Sequence, residues 1–352
     1  MAVLHPIGTS VPSCRIEQAE SARVAARLMG LTDRRERSLA SLYAQSGVRS
    51  RQAVVAENGA GALFDADAGD GPGTAERVER FTQAAPAMAE AACRDALDRS
   101  GTRAGRITHL VVVSCTGFHA PGVDVELIRR LGLPGSTQRT MVGYMGCHGA
   151  INGLRVAAAL ADANPDAAVL VCCVETCSVH FQYRPTGGAV TANALFSDGA
   201  AACVVSSHGD GPRLATFGST IFPGTEAEMG WRVGNHGFVM SLSARVPRIL
   251  REHAGPWLDA WLGASGLTRA DVASWAVHPG GPRIIDGVRG ALGLPAEAVS
   301  DAAAVLAEHG NMSSPTVLFV VRRMLERGAG LPMVALAFGP GLAGEALRLD
   351  PP

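Results

Sequence analysis

The sequence predicts an α/β protein made of two duplicated halves, residues 1–210 and 211–352, stacked face to face around a shared site. Three observations predict it. Short apolar runs that read as buried strands alternate with longer amphipathic runs that read as helices. The same strand–helix order occurs twice along the chain. Finally, each half carries glycine-bounded polar motifs where a strand ends or a helix begins. These are Gly146-Cys147-His148-Gly149 in the first half, and His278-Pro279-Gly280-Gly281 and His309-Gly310-Asn311-Met312 in the second.

In chain order, residues 2–11 read as a short strand and residues 16–29 and 34–45 as amphipathic helices. Residues 57–73, rich in Gly, Ala and Asp, read as a loop. Its Asp65, Asp67 and Asp70, with Glu76, mimic a calcium-loop spacing. Gly69 and Asp70, however, fall where such a loop needs an oxygen ligand and its turn glycine, so no metal site is expected. Residues 74–99 read as a long helix with Thr74 as N-cap, and residues 107–114 as a buried strand. The stretch from Met141 reads as a strand, a glycine turn and a buried helix whose first residues include Cys147. Strands follow at 168–174 and 200–205. In the second half, 214–222 echoes the opening strand and 272–277 echoes 107–114. Residues 313–327 form a helix placed like the one after Cys147, and 333–338 and 345–349 are the closing strands. The junction falls at 208–212.

Composition narrows the chemistry. At 352 residues and 47% hydrophobic, the chain can bury a large core, and a net charge of -1 gives no footprint for nucleic acid. All 31 basic residues are arginine. Without lysine, neither a P-loop nor Schiff-base catalysis is available. There is no charged-then-apolar leader and no run of 18 apolar residues, so a cytoplasmic protein with no membrane span is expected. All eight cysteines lie within the first 203 residues, and none forms a CxxC. That pattern suits neither a disulfide framework nor zinc and agrees with a reducing compartment.

Cys147 stands at a helix start, where the macrodipole and free N–H groups favour thiolate over thiol. The alternative is a buried small hydrophobe. His278 ends a buried strand before a Pro-Gly-Gly turn, and so points into a crevice. Asn311 is either the N-cap of the matched helix or an amide donor aimed at a developing oxyanion. His148 is the weaker base, because neighbouring helical positions do not face each other. A thiolate, an imidazole and an amide donor suit acyl-thioester chemistry. The thiolate accepts an acyl group, the imidazolium keeps it ionised, and His278 with Asn311 stabilises the enolate left by decarboxylating a malonyl thioester.

With GCHG at Cys147, HPGGP at His278, GNMSSPT at Asn311 and AFGPGL at 337–342, the chain resembles the type III polyketide synthases, the chalcone synthase-like branch of the thiolase superfamily. The resemblance spans roughly residues 75–349. It implies a thiolase fold of two αβαβα halves related by a pseudo-twofold axis, and a homodimer with residues 116–123 near its interface. It also implies no metal and no cofactor, with acyl-CoA and malonyl-CoA thioesters as substrates. Cys147, His278 and Asn311 match the catalytic positions. Phe196 matches a gatekeeper phenylalanine, and Met240 stands for the second. Cys115, Cys177 and His180 match cavity threonines, Ala120 a methionine that reaches into the partner's cavity, and Trp231 a cavity-wall glycine. The plant enzymes' basic coenzyme A cluster is not reproduced; Arg49, Arg51 and Arg283 are the nearby cations. The less polar pocket suits an aliphatic chain. The SCTGF and MVGYMGC stretches look most like bacterial alkylresorcinol and alkylpyrone synthases. A ketoacyl synthase III would share the three catalytic types but usually follows its histidine with Gln-Ala-Asn. A catalytically dead, partner-binding scaffold would not need all three.

Overall fold

The computed structural model describes residues 1–55, 63–67, 69–184 and 188–352. The expected loop at 57–73 is therefore only partly within the described residues. Ten strands form one mixed sheet. From one edge to the other they run Ser274–Val277, Met333–Gly339, Ala343–Asp350, Arg213–Ile221, Val3–Leu4, Asp198–Ser206, Ala168–Thr176, His109–Ser114 and Gln138–Gly143, with Gly8–Ser10 also paired to Asp198–Ser206. The duplication is visible in this order. Val3–Leu4 and Arg213–Ile221 meet at the centre through Val3 and Arg213. Outward from each come two antiparallel pairings and then a parallel one, in the same sequence on both sides.

The halves are thus joined edge to edge at the centre of the sheet, and the layering comes from two helices held between them. Gly149–Ala163 packs on Ala168–Thr176 and reaches Ala343–Asp350 of the other half. Its counterpart Thr316–Glu326 packs on Ser274–Val277 and Met333–Gly339 and reaches Asp198–Ser206. This αβαβα layering explains the continuous apolar runs, because strands covered on both faces cannot alternate with polar residues. In His109–Ser114, Leu110 and Val112 belong to the cluster under the outer helix Thr74–Ser100, while Val111 and Val113 join the inner core.

The outer helix starts one residue earlier than its expected cap. Gly73 is the N-cap, Thr74 is already helical, and the Glu76 carboxylate reaches back to accept the Gly73 N–H at 2.7 Å. The helix ends at Gly101, whose φ of 66° is the left-handed conformation of a C-cap. The sequence pattern did not mark the hairpin Met229–Gly234/Gly237–Leu242, which pairs Trp231 with Met240. Among the described residues no helix is long and apolar enough to cross a membrane.

Candidate active site

Cys147 lies at the inner end of the Gln138–Gly143 strand, in a 3-10 turn spanning Gly146–His148, and the α-helix proper begins at Gly149. Gly146 makes the turn possible. Its φ is +66°, and a Cβ there would stand 2.6 Å from Pro340 Cδ. The Asn311 turn comes to the thiol from the other half. Asn311 does not cap the matched helix, which begins at Thr316 after Pro315. Its Oδ1 accepts the Ser313 N–H at 2.8 Å. With the amide oxygen taken, Nδ2 is the group left to face Cys147 Sγ, at a long 4.0 Å.

At the sulfur, burial works against the anion that a helix start favours. Burial pushes its pKa up to about 11, against hydrogen bonds from Ser313 and Asn311 that draw it down. Desolvation disfavours the charged form. His278 is held by its backbone N–H on Leu336 O at 2.7 Å, and its side chain is buried. Burial lowers its pKa to about 3, with the His148 charge adding to the effect. Burial thus favours the uncharged form of both groups. Both ring nitrogens of His278 lack a hydrogen-bond partner among the described residues. Buried polar atoms are nearly always paired, so both nitrogens are free to meet a further hydrogen-bonding group. His148 is turned away from this chemistry, its Nδ1 lying 2.8 Å from Asn152 Oδ1 in the next helical turn.

One organising residue gave little sign in the sequence. Glu175 is wholly buried and collects the Cys115 N–H at 3.0 Å, the Thr116 hydroxyl at 2.7 Å, the Ser314 hydroxyl at 2.6 Å and the Ser114 hydroxyl at 3.3 Å. Burial raises its pKa and these donors oppose the rise. It ties strand ends of the first half to the turn that carries Asn311. The only hint was an acid inside the apolar run VLVCCVET.

One cavity reaches the thiol, and a second lies beside the first. The smaller, of about 20 Å³, is lined by Cys147, Cys115, Cys177, Phe196, Trp231 and Met240, among others. The larger, of about 110 Å³, is mostly apolar and is walled by Val24, Ala25, Leu28, Phe181 and Ala192. Phe196, Trp231, Met240 and Cys177 line both and form the partition between them. The Trp231 indole N–H donates to Cys115 O at 2.8 Å, and its ring meets His180 edge-on at 5.6 Å. His180 lines the larger cavity as a neutral strut. Its Nε2 lies 2.7 Å from Thr116 O, its Nδ1 accepts the Phe238 N–H at 3.0 Å, and its pKa falls to about 3 through burial. A third cleft of about 710 Å³ lies beyond Leu195 and Gly281, with Ser38, Ser41, Gln45 and Arg283 on its walls. Of the three nearby cations, Arg283 reaches that cleft and Arg49 pairs with Glu308 at 3.8 Å. Arg51 is buried and bound to main-chain carbonyls, which removes it as a surface phosphate partner.

Two family models cover nearly the whole chain: chalcone and stilbene synthases, N-terminal domain, over residues 1–209, and the C-terminal domain of the same family over residues 213–350. An alpha-pyrone synthesis polyketide synthase-like protein of Mycobacterium tuberculosis, Pks18, is 32% identical over 99% of this chain and 91% of its own length. The 1,3,6,8-tetrahydroxynaphthalene synthase of Streptomyces peucetius subsp. caesius is 33% identical over 99% and 92%. The crystal structure of PKS-I from the brown alga Ectocarpus siliculosus superposes with a TM-score of 0.94 at 32% identity, covering 100% of this chain and 98% of that one.

Proposed function

The chain belongs to the chalcone and stilbene synthase family of type III polyketide synthases, decarboxylating condensing acyltransferases, and from that premise we propose that it extends a fatty acyl-CoA starter with malonyl-CoA to an alkylresorcinol. The apolar chamber on the far side of the Phe196–Trp231–Met240 partition carries this reading. A cavity walled by Val24, Ala25, Leu28 and Ala192 offers an aliphatic chain burial at about 0.8 kcal/mol per methylene and offers a polar aromatic starter little.

In this reading Cys147 is the acylated nucleophile. As its sulfur attacks the starter carbonyl, the thiol proton passes to His278. The imidazolium then returns that proton to the departing coenzyme A thiolate. Malonyl-CoA next loses carbon dioxide, and the enolate oxygen is held by a His278 ring N–H and Asn311 Nδ2. The enolate carbon attacks the acyl-enzyme carbonyl, and Cys147 leaves as the thiolate. Burial favours the neutral thiol and the neutral imidazole before substrate arrives. No cofactor or metal is called for in these steps. Phe196, Trp231, Met240, Cys115, Cys177 and His180 shape the space for the growing chain, and Arg283, on the wall of the third cleft, is the cation offered to a coenzyme A phosphate.

The working unit is a homodimer. The Gln138–Gly143 strand closes one edge of the sheet, and Phe118, Met141 and Tyr144 stand 69%, 54% and 61% exposed. An open edge beside exposed apolar side chains invites a second copy. The eight cysteines are unpaired and fit a reducing cytoplasm.

The second reading is lactone closure to an alkylpyrone, which the 32% identity to the alpha-pyrone synthesis relative favours. Incubating the enzyme with malonyl-CoA and acyl-CoA starters from acetyl to palmitoyl, with products read by mass spectrometry, tests both. Long-chain resorcinols are expected. Long-chain pyrones alone would replace the first reading with the second, and product from malonyl-CoA without an acyl starter would overturn the fatty acyl assignment.

A further inference from the structure

We propose that Arg51 is a positioning residue that sets acyl-chain selectivity by fixing the main chain on which Phe196 stands. The proposal rests on the fatty acyl reading above. Arg51 belongs to the short strand Ser50–Gln52 and is 6% exposed. A guanidinium so buried is normally opposed by a carboxylate. Here its donors go to carbonyls instead. Nη1 donates to Asn193 O at 2.9 Å and Phe196 O at 2.8 Å, and Nη2 to Ala194 O at 2.6 Å and Gln18 Oε1 at 2.6 Å. Asp198, whose charge also reaches Arg51, is occupied with the Val54 and Ser178 N–H groups, each at 2.7 Å.

Those three carbonyls lie at the C-terminal end of the helix Ala189–Leu195, where the last C=O groups have no helical partners and the dipole is negative. The planar fork of arginine satisfies several of them at once, which the single ammonium of a lysine cannot do in the same geometry. Immediately after that helix stands Phe196, the partition between the thiol pocket and the apolar chamber.

The same clamp reaches the chamber's far wall. Gln18 opens the helix Gln18–Leu28, and its Nε2 donates to Ala194 O at 2.8 Å and Ser46 Oγ at 2.8 Å. Val24, Ala25 and Leu28 of that helix wall the chamber. Arg51 and Gln18 therefore hold gate and wall in one hydrogen-bonded unit. Loosening it changes the width of the passage from Cys147 without touching any reacting atom.

The test compares the rates at which Cys147 in the full-length enzyme is acylated by hexanoyl-CoA and by palmitoyl-CoA, read by intact-protein mass spectrometry. In Arg51→Lys the palmitoyl-to-hexanoyl ratio is expected to rise about fivefold or more, because the freed Phe196 no longer narrows the passage. Rates that fall in parallel, or a ratio that stays or drops, would overturn the proposal and leave Arg51 a purely structural residue. Should Arg51→Lys not fold, Gln18→Met keeps the arginine and removes one of its partners, and the same rise in smaller measure is expected. If the wild type takes no palmitoyl group, the fatty acyl reading fails on its own. The gate is then read from Cys147 alkylation by N-ethylmaleimide and N-dodecylmaleimide, where an unchanged ratio in Arg51→Lys overturns it.

Discussion

Phe196 and Asn311 are bridged through their main chains across the two halves of the molecule. The Asn311 N–H donates to Leu195 O at 2.9 Å, and the Ser197 N–H donates to Asn311 O at 2.9 Å. The backbone at Asn311 is thus held whatever its side chain does, so a side-chain change there reports on chemistry rather than folding.

Asn311→Ala is expected to slow release of carbon dioxide from malonyl-CoA by about 10²–10³, the usual effect of losing one oxyanion donor. Starter loading should continue, and the loss of the bond from the Ser313 N–H to Oδ1 should lower stability by only about 1 kcal/mol. Loading and decarboxylation measured separately decide it. Equal losses in both would show that the amide serves the thiol and not the enolate.

Cys147→Ala is expected to abolish condensation, and only the wild type should gain an acyl adduct in intact-protein mass spectrometry. Cys115 and Cys177 share its pocket, but burial and the Glu175 charge raise both thiols well above the usual range. They should stay unmodified. An adduct mapped to either one would move the nucleophile.

His278 carries a pH prediction. Its folded pKa of about 3 lies below the 6.5 of a free imidazole. As pH falls below 6.5 the unfolded chain binds a proton that the folded site refuses, so this contribution to stability is lost on acidification toward the folded pKa. By pH 4.5 the loss should approach about 2 kcal/mol. Asp198, raised to about 6 by burial, works in the opposite sense, so the measurement is a difference between two proteins. Between pH 7 and 4.5 the wild type should lose more Tm than His278→Gln. Parallel curves would mean that the imidazole is not held neutral.

The sequence suggested that Cys147, His278 and Asn311 meet because each sits in a short motif whose strand or helix boundary is readable locally, and the structure brings Asn311 to Cys147. The charge state was not readable. Burial is a tertiary property, and at Cys147 it works against the helix-start argument. The role of Arg51 was unreadable for the same reason, since no local pattern separates an arginine that reaches solvent from one that caps a helix in another part of the chain. The Met229–Leu242 hairpin was missed because its turn and half-exposed strands lack the apolar run that revealed the central sheet.

The exposed edge strand leads to a prediction about assembly. Charging it with Met141→Asp and Tyr144→Asp should convert a dimer to a monomer in sedimentation velocity at micromolar concentration. A wild-type protein that is monomeric there and fully active would contradict the homodimer.

In the proposed reading, Trp231 limits how far the chain can grow. Its indole lines both cavities, packs 6.2 Å from Phe196 and 5.9 Å from Phe238, and is pinned by its N–H on Cys115 O at 2.8 Å. A ring held at three points resists a lengthening polyketide, and the pocket on the thiol side of it is only about 20 Å³. The intermediate is then held to few extensions and folds early, which favours carbon–carbon closure to a resorcinol over later lactone closure. Trp231→Gly removes the wall. It should lengthen the products or shift them toward pyrones, while total turnover falls far less than in Cys147→Ala. Trp231 is partly buried against the core, so its loss lowers stability and the folded fraction must be confirmed by thermal melt before products are compared. A folded Trp231→Gly enzyme that gives the same products in the same ratio would show that the indole braces the hairpin without setting chain length. Ring closure would then have to be decided elsewhere in the pocket, with Cys115 and Met240 the next residues to vary.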